Sequence, residues 1–188
     1  MKLTERLTAT HGALLVVDLQ EKLLAKIESR ERVVFNALRL VRGAKLLDVS
    51  VHATEQYPQG LGPSVAELVA LIPERGPKTT FHSCTVPAFL EQLYGRNVRH
   101  VTLAGIEAHV CVAQTALELM HLGFRVQVVA DAVGSRSQMD WEFALRRLEL
   151  AGAVVSTTEA VLFEWAERCD RPQFKAISEL IKSGSLLN

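Results

Sequence analysis

The chain has 188 residues, 48% of them hydrophobic, which suits one compact domain with a substantial core. Its 21 basic residues balance 21 acidic ones, leaving no charge excess to draw it to nucleic acid or to an anionic membrane. No apolar run approaches the roughly 20 residues of a membrane-spanning helix, and MKLTERLTAT lacks the apolar core of a secretory signal, so a cytoplasmic protein is expected.

Residues 12–17, GALLVV, are apolar on both faces, as in a central parallel strand, and run into Asp18. A helix over about 33–47 follows, with Val33, Ala37, Leu40, Val41 and Ala44 on one stripe. Val49–Ala53 reads as a second strand, and 54–64, TEQYPQGLGPS, as loop from its Pro and Gly content. Val65–Leu71 is a short helix, and a third strand falls near 76–81, around Lys78. Val86–Tyr94 is helical, with Pro87 accommodated in the first turn.

The stretch from Val98 to Arg136 is the most informative. Val98–Ala104 is a buried strand ending at Gly105, and Cys111 stands at the start of the helix over 112–122. Arg125–Ala130 is a fifth strand, 131–137 a polar loop, and Met139–Leu150 an amphipathic helix. Ala153–Val155 is a sixth strand, followed by helices over 158–168 and 173–182. The last carries Phe174, Ile177 and Ile181 on one stripe, which could dock on its own sheet or on another subunit. Strand and helix alternate along the whole chain, the pattern of a three-layer α/β sandwich with right-handed crossovers in a single domain, 1–188.

In such sheets chemistry gathers at the carboxyl ends of the strands. Asp18 is placed there, either as a functional carboxylate or as a cap on the next segment. Cys111 is either a small buried hydrophobe or a nucleophile whose thiol is acidified by the helix start. Lys78, on spacing alone, is an ordinary edge lysine. His109 lies two residues from Cys111 and does not face it on a helix, whereas His52 and His82 sit at strand ends, so a Cys–His hydrolase is one further reading. His52, His82 and Glu55 match no metal-ligand spacing, and the three separated cysteines, Cys84, Cys111 and Cys169, imply neither disulfides nor zinc. No GxGxxG or GxxxxGK[ST] is present, and no cofactor or metal is expected.

Five fragments, LLVVDLQ (14–20), ATEQYPQGLG (53–62), KTTFHS (78–83), AGIEAHVCVAQTALEL (104–119) and VVADAVGSRS (128–137), together resemble the isochorismatase-like cysteine hydrolases, in particular the branch of isochorismatase domain-containing proteins. The resemblance implies a Rossmann-like, six-stranded parallel sheet with helices on both faces. It implies a catalytic triad of Asp18, Lys78 and Cys111, and a cis peptide at Ile106–Glu107 that turns the Glu107 amide toward the Cys111 amide as an oxyanion hole. Gln20, Gln56, Tyr57, Phe81 and His109 are the candidate pocket residues. The metal-binding aspartate and histidine of nicotinamidases fall on Gln56 and Pro58, so neither that metal site nor that activity is expected. True isochorismatases lack the cysteine, so Cys111 also argues against isochorismate as substrate. The implied activity is cysteine-dependent hydrolysis of a small C–N bonded substrate through a thioester, by a homo-oligomer. The alternative is a non-catalytic oligomeric binding module, or a redox-responsive protein, on the same fold.

Overall fold

Residues 6–183 are described by a computed structural model. Its centre is β1 (Gly12–Val17), in which every residue is buried. The alternation of a strand divides those side chains between two cores. Leu14 and Val16 pack on one face, under α2 (Arg30–Leu46), α8 (Thr158–Ala166) and α9 (Phe174–Ser183). Ala13, Leu15 and Val17 pack on the other, under α5 (Pro87–Gly95), α6 (Ala113–His121) and α7 (Gln138–Leu150). A strand with two apolar faces is thereby covered on both, as a parallel sheet requires.

Five further strands complete the sheet: β2 (Ser50–Gln56), β3 (Gly76–Lys78), β4 (His100–Ile106), β5 (Arg125–Gly134) and β6 (Val154–Ser156). Their order is β3-β2-β1-β4-β5-β6, all parallel. The winding reverses between β1 and β4, and the crevice outside their carboxyl ends is where such sheets hold ligands. Short helical turns close the loops at α1 (Glu21–Leu24), α3 (Pro58–Leu61) and α4 (Ala66–Leu71).

The architecture is the expected one, and the differences fall at the polar strand ends. β2 does not stop at Ala53 but runs to Gln56, because Thr54, Glu55 and Gln56 are buried and each finds polar partners there. β5 likewise continues to Gly134, into the segment expected as a loop. Between the pairs Leu103↔Val128 and Gly105↔Val133 the register slips, so β5 carries extra residues. Asp131, in that irregular stretch, accepts from the amide and hydroxyl of Thr158 (2.8 and 2.9 Å) and so caps α8 from a distant strand. The α9 stripe docks on its own chain: Ile177 is fully buried, and Phe174 and Ile181 pack against the same core. Arg39 of α2 fastens it by donating to the carbonyls of Leu180 and Ile181. That stripe is therefore not a free surface for another subunit.

Gly105 is where β4 passes closest to β1. Its φ is +113°, and a Cβ there would stand 2.0 Å from the Val17 carbonyl oxygen. Gly105→Ala should cost at least about 3 kcal/mol of stability, seen as a lower urea midpoint with an unchanged slope.

Candidate active site

Asp18 is the first residue beyond β1, where Val17 pairs with Thr54 on one side and Gly105 on the other. It adopts a left-handed backbone (φ 51°) and is fully buried. Its amide donates to the Thr54 carbonyl at 3.1 Å, and its Oδ1 accepts from the Thr54 hydroxyl at 2.8 Å. Its Oδ2 accepts from Lys78 Nζ at 2.6 Å, in an ion pair whose side chains are 0% and 1% exposed. Lys78, the last residue of β3, pairs with Gln56 in register. Its ammonium also donates to Gln56 Oε1 at 2.6 Å and to the Thr80 carbonyl at 3.4 Å, which uses all three of its protons. Lys78 is thus no edge lysine facing water. Its role was invisible to spacing because the partner lies 60 residues away.

Cys111 completes the cluster from the other side of the switch point. The peptide joining Ile106 to Glu107 is cis, and the chain then forms a π-helical turn, Ala108–Val112, that runs into α6. Cys111 is 6% exposed, with its sulfur 3.9 Å from Gln56 Oε1. Burial, followed by the Asp18 carboxylate, pushes its thiol up to about 12, while Lys78 pulls the other way. A rise from 9 to about 12 corresponds to about 4 kcal/mol in favour of the neutral thiol. A helix start offers typically 0.3–1 kcal/mol, so the expected acidification by the helix does not prevail. The resting sulfur is a thiol beside an ion pair.

The histidines do not supply a partner. His52 bonds to Ser50 and packs edge-on against Phe89, and burial followed by the Arg96 charge pushes it down to about 4. His82 has a buried Nδ1 with no partner, and among the described residues no histidine bonds to Cys111. His109 Nδ1 pairs with the Ser135 hydroxyl at 2.9 Å. Glu55 is taken up by Ser64 and Arg75. Among the described residues no group of three His, Cys, Asp or Glu side chains gathers as a metal site. Gln56 gives its carboxamide to Lys78 and to the Thr79 carbonyl, and Pro58 offers no side-chain donor, so these residues do not fit the nicotinamidase metal.

The expected pocket residues divide by role. Gln20 is fully buried, and its carboxamide is spent on the backbone of Gln56 and Gly62, so it straps the 56–62 loop rather than facing a ligand. Tyr57 and Phe81 are each 52% exposed. Tyr57, with φ 37°, sits beside the site because its amide donates to the Lys78 carbonyl at 2.7 Å. Residues missed in the sequence are the buried hydroxyls of Thr54, which bonds to Asp18, and of Ser83 and Thr115, which follow it in a row. Their only signal there is a polar residue inside an otherwise apolar segment. The other cysteines stand apart: Cys84 is buried, its thiol pushed to about 12 by burial and then by Glu118, and Cys169 is exposed.

A buried aspartate–lysine pair facing a cysteine across the switch point of a parallel sheet places the molecule among α/β proteins of the hydrolase type. The isochorismatase domain matches residues 12–160, and the chain belongs to the isochorismatase family. It is 42% identical over 178 residues to mouse isochorismatase domain-containing protein 2A, covering 94% of this chain and 85% of that one. Among solved structures it is similar to the MAR1 ribonuclease of Caenorhabditis elegans, with a TM-score of 0.88, 40% identity and coverage of 95% and 93% of the two chains. It is also similar to the Escherichia coli YcaC gene product, described as an octameric hydrolase of unknown specificity, with a TM-score of 0.84, 25% identity and full coverage of both chains. Among the described residues no helix is long and apolar enough to cross a membrane.

The neutral thiol sets an expectation for labelling. At pH 7 Cys111 should react with iodoacetamide far more slowly than exposed Cys169, and its rate should keep climbing above pH 9, where an ordinary thiol levels off. Peptide mass spectrometry after timed alkylation reads both residues in one sample.

Proposed function

We propose that the chain is a cytoplasmic, single-domain cysteine hydrolase that cleaves a small C–N bonded substrate, an amide or a related group. The observation that carries this reading is the buried Asp18–Lys78 pair at 2.6 Å, joined through Gln56 Oε1 to the Cys111 sulfur 3.9 Å away. A neutral thiol next to a carboxylate needs a base only at the moment of attack, and Asp18 is the base within reach. Asp18 takes the proton as the sulfur attacks the carbonyl carbon, and Lys78 steadies the charge as it moves from oxygen to sulfur. The amides of Glu107 and Cys111 receive the developing oxyanion. The Glu107 amide donates to no acceptor among the described residues, which leaves it free for that task. The proton on Asp18 passes to the leaving amine, and water activated by Asp18 then releases the acid from the thioester. Gln56, touching both Lys78 and Cys111, keeps the cation and the sulfur in one arrangement.

A panel of small amides run with wild type and variants tests this. Cys111→Ala should abolish turnover, and Asp18→Asn should lower kcat by about 100- to 10,000-fold. Full turnover by Cys111→Ala would overturn the reading and leave the non-catalytic binding or redox-responsive protein in its place. The ribonuclease named for the C. elegans relative is a second reading. Balanced charge gives it little support here, and a labelled RNA in the same panel decides it, since cleavage that survives Cys111→Ala would belong to that activity.

The working form is proposed to be a homo-oligomer, as described for YcaC. With the α9 stripe used internally, exposed Met139, Phe143 and Leu150 on α7 offer an apolar surface for contact. Light scattering at micromolar concentration should give a mass above that of one chain, and Phe143→Glu should reduce it.

A further inference from the structure

Asp18 is gripped from one side by an ion pair and from the other by a row of hydroxyls that ends on the helix following Cys111. The row starts at a backbone amide, which can only donate: Ser83 N–H gives its proton to Thr115 Oγ1 at 3.0 Å. With that oxygen accepting, the Thr115 hydroxyl donates to Ser83 Oγ at 3.3 Å. The Ser83 hydroxyl is then turned toward Thr54 Oγ1 at 3.4 Å, and Thr54 donates to Asp18 Oδ1 at 2.8 Å. All four side chains are buried, at 0–1% exposure, so water does not compete for these protons. The members come from the end of β1, from β2, from the short helical turn Ser83–Thr85 and from α6. Thr115 lies four residues beyond Cys111 along the helical path.

We infer that Thr54, backed by Ser83 and Thr115, is a positioning residue that aims the Asp18 carboxylate and ties it to the element that carries Cys111. This rests on the role proposed for Asp18 and goes beyond it. A row polarised in one direction delivers a proton to Oδ1 whenever the carboxylate is charged, and hydrogen bonds to the charged form of a carboxylate favour that form. Oδ2 is held by Lys78 at 2.6 Å. Among the described residues, the titratable groups facing Asp18 are Lys78 from β3 and Cys111 from the turn after β4. Neither of these is touched by a change at Thr54. Serine can replace threonine in this role and valine cannot, although valine matches its shape.

The test uses p-nitrophenyl acetate, a chromogenic acyl donor that needs no knowledge of the natural substrate. The Cys111-dependent rate is p-nitrophenolate release by each protein minus that of its Cys111→Ala counterpart, followed from pH 4 to 9. Thr54→Val should move the acidic limb of that rate upward by about one pH unit, because the carboxylate loses a donor. Thr54→Ser should restore the limb, and Ser83→Ala, one link further out, should shift it in the same direction by less. Loss of packing alone would lower the melting temperature without moving the limb. An unmoved limb in both Thr54→Val and Ser83→Ala overturns the inference while the nucleophile stands. Release by Cys111→Ala at the wild-type rate overturns the proposed function instead, and the inference with it.

Discussion

Two charges with almost no access to water stand at the centre of this molecule. A buried ion pair is costly, because each group gives up its hydration, and it persists only where every remaining donor and acceptor is met. Here the surroundings meet them. Thr54 takes the second oxygen of Asp18, and Gln56 and the Thr80 carbonyl take the remaining protons of Lys78. Those requirements account for several features that otherwise look unrelated: polar residues buried at the end of β2, the length of that strand, and the short β3 that brings Lys78 to its place. They also set the state of the cysteine. With Asp18 charged beside it and little solvent, Cys111 keeps its proton.

The 56–62 loop is fixed by the same economy of polar groups. Gln20 would be an expensive residue to bury alone. It is satisfied by the backbone of Gln56 and Gly62, and in being satisfied it fastens the loop that carries Tyr57. Asp131 does the equivalent on β5, where its carboxylate caps α8 and its carbonyl accepts from Asn36. In both places one polar side chain does work that a sequence reader assigns to loops.

The fold was largely legible in the chain because apolar periodicity is local and strong. GALLVV can be buried on both faces only in a covered sheet, and the alternation around it admits few topologies. The polar residues after Ala53, and Asp131 after Ala130, resemble strand ends in the sequence, yet polarity there marks the site or a distant cap rather than a loop. The α9 stripe was ambiguous since an apolar face shows that something covers it but not what. Its cover is α2 and α8, fixed by Arg39 and by close packing at Gly43, where an added Cβ would strike Leu162.

By itself, the sequence determined the class of fold, the family, and the residue types available for chemistry, since each of these follows from patterns within a few residues or from motifs in fixed order. Only the tertiary structure decided the charge state of Cys111, the pairing of Lys78 with Asp18, and the hydroxyl row through Thr54, Ser83 and Thr115. These depend on desolvation and on contacts between segments far apart in the chain, and neither quantity is written in any local stretch of it.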